Sequence, residues 1–336
     1  MKDEHMKLLI AYDGSSCADA ALDDLSRAGL PHAAEVLVLS VADVLLPPDT
    51  GAPDEADPKW LVAAINKARA RSLQAVEEAR ATALRASRRI QSEHPDWLVR
   101  AEACGDSPAW AVIDKAREWK ADLILVGAHG HSSTGRMVLG SVSQRVVADA
   151  FCSVRVARGQ TGTKDSPARL IVGIDGSLDS DMALREVAAR EWPVGSTIRL
   201  ITAIEPLMSV SFALSSLDPA AGWLKQKDID ARALANRMNQ RAAERLRGTG
   251  FAVSSLVREG NPKQILVKEA KRWKADCIFV GAKGLRGIER FLIGSVSMAV
   301  TARAPCSVEV VRSKRPAGPI PCQESSSVPE LDHQRS

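Results

Sequence analysis

The chain has 336 residues, of which 45% are hydrophobic and 26% charged, with 45 lysines and arginines against 41 aspartates and glutamates. That length suits about two domains of ~150 residues, each able to bury its own core. Dispersed charge and only 4% aromatic residues exclude the basic stripe with interleaved stacking rings that marks a nucleic-acid partner. No apolar run approaches the ~18–20 residues needed to cross a bilayer, and Met1-Lys-Asp-Glu-His5 lacks an apolar signal region. A cytoplasmic protein without membrane contact is expected, its six cysteines being free thiols because no CxxC pair or disulfide framework is present. The clusters Arg85 to Arg89 and Arg312 to Arg315 read as solvated surface.

Short β-branched or leucine-rich runs, Lys7 to Ala11 and Arg169 to Ile174, each end at Asp-Gly-Ser, a pattern for a strand, a tight turn and a helix N-cap. Alanine-rich helical patterns follow at Ser15 to Ala28 and Ser177 to Ala189. Continuous apolar strands come next at Glu35 to Val41 and Thr197 to Ala203. Proline-bearing segments then run from Leu46 to Lys59 and from Pro206 to Gly222, of a length usual for lids or interaction loops. Helices are expected from near Trp60 and Trp223, strands at Trp97 to Ala103 and Phe251 to Val257, and proline-led helices at Pro108 to Lys120 and Pro262 to Lys274. The strongest strands, Leu123 to Val126 and Cys277 to Val280, run into glycine loops; the last are Ser153 to Val156 and Ser307 to Val311. Cys152 and Cys306 precede these last strands, where a buried small hydrophobe competes with a reactive thiol. Residues Ala157 to Ala168 form a linker, and from Ser313 onward the composition is that of a disordered tail.

The chain is thus a duplication. Gly127-Ala-His-Gly130, nine residues, then Gly140-Ser141 recurs as Gly281-Ala-Lys-Gly284, nine residues, then Gly294-Ser295. Trp119-Lys-Ala-Asp122 matches Trp273-Lys-Ala-Asp276, and Cys152-Ser-Val154 matches Cys306-Ser-Val308, all at one offset. The offset is larger for Asp13-Gly-Ser15 against Asp175-Gly-Ser177, so the first copy has a longer helix or approach to its third strand. The period is far beyond the ~20–50 residues of a solenoid repeat and describes two domains. Five strands alternating with helices in each half argue for an α/β fold, two doubly wound parallel sheets, whose ligands sit beyond the carboxyl ends of the strands where strand order reverses.

Phosphate oxygens need several donors at short range with no side chain between. Gly127 and Gly130 let the backbone turn and approach an anion. Gly140-Ser141 opens the helix Val142 to Ala148, whose first amides and positive dipole end face the ligand, with Ser141 and Ser143 adding hydroxyls. Gly281, Gly284, Gly294, Ser295, Val296 and Ser297 repeat the arrangement. A single GxxG is more often a turn; two copies with equal spacers point to ligand binding. Asp13 and Asp175 are either turn and cap residues or carboxylates for the nucleotide or its divalent cation. His129 and His131 are anion contacts or idle loop histidines, whereas Lys283 is a charged phosphate partner. Gly127→Val with Gly281→Val is expected to abolish nucleotide retention with the fold intact.

These residues resemble the universal stress protein family, in a tandem form spanning residues 6–157 and 168–312. The family's G-x2-G-x9-G-[ST] motif stands intact in both halves, and Asp13 and Asp175 match its first-strand aspartate. The resemblance implies five-stranded parallel sheets in order 3-2-1-4-5 and an adenine nucleotide, usually ATP, with AMP or ADP as alternatives and Mg2+ on the phosphates. It also implies that the backbone of Val41 and Ala203 reads adenine, with Ser40 and Thr202 serving the strand. The fifth strand, a dimer edge in the family, is expected to be satisfied internally as a pseudo-twofold pair, a further homodimer remaining open. Three functions are weighed: a nucleotide-dependent stress regulator acting on an unidentified protein partner, a slow ATPase or phosphoryl-transfer enzyme, and a scaffold with vestigial sites. Neither half carries the G-x4-G-K-[ST] loop of an efficient phosphoryl-transfer enzyme.

Overall fold

The computed structural model describes residues 5–44, 58–130, 139–159, 166–205, 219–284 and 293–313, with side chains of the helix that starts at Pro219 described from 229 onward. The first half runs β1 (Met6–Ala11), α1 (Ser16–Leu25), β2 (Ala34–Ala42), α2 (Lys59–Glu93), β3 (Leu98–Gly105), α3 (Pro108–Trp119), β4 (Leu123–Gly127), α4 (Ser141–Asp149) and β5 (Ser153–Ala157). The second half repeats it as β6 (Arg169–Gly173), α5 (Leu178–Ala189), β7 (Thr197–Ile204), α6 (Pro219–Arg245), β8 (Ala252–Glu259), α7 (Pro262–Trp273), β9 (Cys277–Gly281), α8 (Ser295–Arg303) and β10 (Ser307–Val311). Helix α2 has 35 residues and α6 has 27, which is where the offset between the repeats accumulates.

All ten strands join one sheet in the order β3-β2-β1-β4-β5-β10-β9-β6-β7-β8, so each half keeps the order 3-2-1-4-5. Within each half the pairs are parallel. Burial follows position: β4 and β5 are buried at every residue, while edge strand β3 alternates with exposure, as a strand covered on both faces and one at a rim should. Helices α3 and α7 start on proline and end on Lys120 and Lys274 in the left-handed region, φ 59° and 52°. There Ala121 and Ala275 amides donate back to Ala116 and Ala270 carbonyls, satisfying the last turn.

The halves meet where β5 pairs antiparallel with β10, in the register Val154↔Val310, Arg155↔Glu309, Val156↔Val308. On one face, valines of both strands enter a single core shared by β4, β9, α3, α4, α7 and α8. On the other face each half keeps its own core, under α1 and α2 or under α5 and α6. Between those two cores the Trp192 ring packs on Gly29, whose φ is +64° and whose added Cβ would lie 2.7 Å from the indole. Cys152 and Cys306 are 4% exposed and packed in the shared core. Burial pushes the Cys152 thiol up to about 12 and Cys306 well above its usual value, so both are core residues and not thiolates.

The assignment of Arg312 to a solvated cluster is corrected. Its guanidinium donates to the carbonyl of Val147 at 2.5 Å and reaches those of Ala148 and Cys152 at 3.4 Å, capping α4 of the opposite half. Arg158 does the same in reverse, donating to Thr301 and Ala302 carbonyls at 2.8 and 3.1 Å at the end of α8. The main-chain amides of these two arginines donate to Ser153 and Ser307 hydroxyls at 3.2 and 3.1 Å, Arg312 to Ser153 and Arg158 to Ser307. Each half thus supplies the cation that the other half's last helix needs at its negative end. Arg158→Met and Arg312→Met should each cost about 1 kcal/mol, read as a lower urea midpoint at unchanged slope; midpoints equal to wild type in both would remove the caps from the fold's support.

Candidate nucleotide site

Strand β1 lies between β2 and β4, so strand order reverses between β1 and β4, and the carboxyl ends there are where a sheet of this kind places a ligand crevice. The turn is built by Asp13-Gly14-Ser15. Gly14 takes φ +78°, the Asp13 Oδ1 accepts from the Ser15 amide at 2.9 Å, and the Ser15 hydroxyl caps α1 by accepting from the Ala18 amide at 3.2 Å. Asp175, Gly176 (φ +83°) and Ser177 repeat this, with Ser177 capping through the Ser180 amide at 3.2 Å. Asp13 and Asp175 therefore do hold turns, while the serines two residues on are the caps.

The glycines serve three different approaches. A Cβ on Gly130 would lie 2.8 Å from the Asp13 Oδ2, and one on Gly284 would lie 2.7 Å from the Asp175 Oδ2. The first-strand aspartate and the loop therefore close on each other in both halves. Gly140 packs on the main chain of His129, with Cβ space of 3.3 Å, and its amide donates to the Ala128 carbonyl at 2.8 Å; Gly294 does likewise with Ala282 at 2.7 Å. Gly127 has a different reason from the one read in the sequence. Its Cβ would meet the Cys17 carbonyl oxygen at 2.8 Å, and that of Gly281 would meet the Asp179 carbonyl carbon at 2.6 Å. These glycines admit the first turn of α1 and α5 onto the strand end.

Helices α4 and α8 begin at Gly140 and Gly294, extended N-caps with no side-chain cap bond. Among the described residues, no side-chain hydrogen bond caps the first-turn amides of Ser141, Val142 and Ser143, or of Ser295, Val296 and Ser297. Ser141 and Ser295 are exposed at the helix start, and Val142 and Val296 lean on the shared core. The Ser143 and Ser297 hydroxyls are spent otherwise: each donates to the carbonyl of the loop's first glycine, Gly127 and Gly281, at 2.6 Å. They tie the helix start to the strand end, so the proton that the sequence reading offered to a phosphate is already given.

The far wall of the crevice is the end of β2. The Tyr12 amide donates to the Leu39 carbonyl at 2.9 Å, and the β1 register stops at Ala11↔Leu39. In a parallel ladder alternate residues direct both main-chain groups to the same neighbour, so Val41 aims its amide and carbonyl past the end of β1. Ala42 turns the other way and accepts from the Asp106 amide at 3.1 Å. The second half repeats this: Ile201 accepts from Ile174 at 2.8 Å, Ile204 accepts from Gly260 at 2.8 Å, and Ala203 is left facing the crevice. Ser40 and Thr202 are buried, and the Thr202 hydroxyl lies 2.9 Å from the Ile174 carbonyl, a strand role.

The two halves differ in how the loop meets the first helix. In the second, the Asp179 carboxylate accepts from the Lys283 amide at 3.0 Å and the Ser177 hydroxyl donates to the Lys283 carbonyl at 3.1 Å. In the first, Cys17 and His129 occupy the equivalent places, and both ring nitrogens of His129 are buried with no hydrogen-bond partner among the described residues. Burial, then the Arg158 charge, lowers the His129 pKa, which keeps it neutral at pH 7. Asp179 and Cys17 escape a sequence reading because both look like ordinary first-turn helix residues until the loop folds back on them. His131 and the long segments 46–57 and 206–218 lie outside the described residues, as does the tail from 314. Among the described residues no group of three or more His, Cys, Asp or Glu is placed to hold a metal ion, and no helix is long and apolar enough to cross a membrane.

The profile of the universal stress protein family matches residues 5–158 and again 168–312. The chain belongs to the universal stress protein family. A universal stress protein of Mycolicibacterium smegmatis is 26% identical over 310 residues, covering 91% of this chain and 97% of that one. The crystal structure of a universal stress protein from Archaeoglobus fulgidus aligns over 91% of this chain and 96% of that one, at 19% identity and a TM-score of 0.54. A family protein from Arabidopsis thaliana, solved with AMP bound, aligns over 43% of this chain and 91% of its own at 17% identity and a TM-score of 0.29. The family profile thus matches both halves, and the Archaeoglobus structure shares the fold over most of the chain.

The glycine contacts correct one expectation. Gly127→Val and Gly281→Val would drive a branched side chain into helix backbone, so each should lower the thermal midpoint by the equivalent of at least about 1–3 kcal/mol of overpacking. Gly130→Ala meets only the tip of the Asp13 side chain and should leave the midpoint within a few degrees. Equal midpoints for Gly127→Val and wild type in thermal melts would refute the packing role.

Proposed function

We propose that each half binds an adenine nucleotide, ATP in the first instance, with the phosphates at the start of α4 or α8 and the base against Val41 or Ala203. The observation that carries this reading is the uncapped glycine start of α4 and α8, set beside a loop and carboxylate that meet in both halves. Helix N-termini left open in this way favour anions through unpaired amides and the helix dipole. Gly130, Gly140 and Ser141 offer main chain to the phosphates in the first half, as do Gly284, Gly294 and Ser295 in the second. Val142 and Val296 contribute amides only. His129, being neutral, serves as a packing or hydrogen-bonding neighbour, while Lys283 brings charge that Asp179 partly offsets.

Asp13 and Asp175 fit a Mg2+ that arrives with the phosphates, since this ion is commonly held by one or two carboxylates plus phosphate oxygens. Such an ion supplies charge neutralisation at the phosphates. The role that follows is regulatory: occupancy biases a surface that another protein reads, to the extent that nucleotide binds one loop state better than the other.

The test uses Ser141→Pro with Ser295→Pro. Proline is tolerated at the first helical position and removes one amide donor there, and Gly140 and Gly294, at ψ 153° and 143°, suit a residue before proline. Nucleotide affinity should fall about tenfold or more, the worth of a hydrogen bond to a charged group, with the circular dichroism spectrum unchanged. Ser141→Ala with Ser295→Ala separates hydroxyl from amide. Unaltered ATP-Mg2+ affinity by calorimetry in the proline variant, or no adenine nucleotide binding by the wild type, would overturn the reading.

A further inference from the structure

At the centre of the β5–β10 seam, Arg155 and Glu309 stand in register, and by their place in the repeat they are the same position in the two halves. A position paired with its own equivalent lies on the pseudo-twofold axis. In a symmetric dimer of identical domains that position would face itself. Here it carries opposite charges, and both side chains are buried, 1% and 0% exposed. The Arg155 Nη1 lies 3.3 Å from the Glu309 Oε2. Each charge also has a partner within its own half: Asp24 accepts from the Arg155 Nε at 2.5 Å, and Arg190 donates to Glu309 at 2.8 Å through one nitrogen and pairs with it through the other. Arg190 ties back across the seam to the Ala28 carbonyl at 3.0 Å, and Ser307 of the second half donates to Asp24 at 2.8 Å. The four charges sum to zero and sit between the two separate cores.

We propose that Arg155 and Glu309 are a partner-selecting pair: each fifth strand accepts the fifth strand of the other half and rejects its own copy on a second chain. If β5 met a second β5 in this register, Arg155 would oppose Arg155, and β10 on β10 would set Glu309 against Glu309. Like charges opposed in a buried strand pair are destabilising, and burial raises the cost because water cannot screen them. The valines on either side, Val154 and Val156 against Val310 and Val308, are alike in both halves and cannot discriminate. The outermost strands of the sheet, β3 and β8, are not part of this code. The inference stands apart from nucleotide binding.

The test uses full-length chains with the charge reversed in one half. Glu309→Arg leaves Asp24 alone against three cations; Arg155→Glu leaves Arg190 alone against three carboxylates. Each variant by itself should lose its single cooperative melt or fall in thermal midpoint by about 10 °C or more, the scale of breaking a buried pair. Co-expressed with different tags, the two chains should be recovered as a 1:1 heterodimer in native mass spectrometry, since the unaltered first half of one chain and the unaltered second half of the other rebuild the wild-type seam. A double-mutant cycle with Arg155→Met and Glu309→Met should show the two losses to be strongly non-additive. The proposal fails if either reversal melts as wild type, if the methionine losses add, or if the co-expressed reversals are recovered only as separate monomers or not at all.

Discussion

Everything about the crevices depends on a helix backbone resting directly on a strand end. The first turn of α1 touches β4 at Gly127, and the first turn of α5 touches β9 at Gly281, at distances that exclude a side-chain carbon. From that contact the rest follows by short links. The same glycine carbonyls take the Ser143 and Ser297 hydroxyls, which fix where α4 and α8 start, and the start of those helices decides where unpaired amides are offered. Because a side-chain carbon at either glycine would meet helix main chain, both positions are restricted to glycine.

The seam between the halves answers a different problem. Ten strands in one sheet leave two outer edges where two separate five-stranded sheets would leave four, and an inner edge left open would invite strand pairing with other chains. Valines make that junction stable, yet they would serve equally well for a wrong partner. Buried ion pairs are poor sources of stability compared with apolar packing, so the retention of four charges between two hydrocarbon cores is better understood as specificity than as adhesion. Gene duplication with fusion makes such asymmetry available, because the two equivalent positions can drift to opposite sign.

Much of this architecture is legible in the amino-acid sequence. Strand order, element limits within a few residues and the internal pairing of the fifth strands follow from the repeat, the apolar runs and the family resemblance. The convergence of Asp13 with the glycine loop followed from both lying at strand carboxyl ends. What could not be read were contacts made between residues remote in sequence. Arg312 looked like one of a run of surface cations because its acceptors, the carbonyls ending α4, belong to the other half. The packing demand on Gly127 is hidden in the sequence because the helix that makes it is more than a hundred residues earlier in the chain. Ser143 looked like a donor to ligand because its true acceptor is a carbonyl exposed only by the strand's end.

The crossed arginines give the pair of halves a property that neither has alone. Helix α4 has its negative pole neutralised by Arg312 from the opposite half, and α8 is served likewise by Arg158. Each last helix therefore relies on the other half for the cation at its carboxyl end, so neither half is a self-sufficient module.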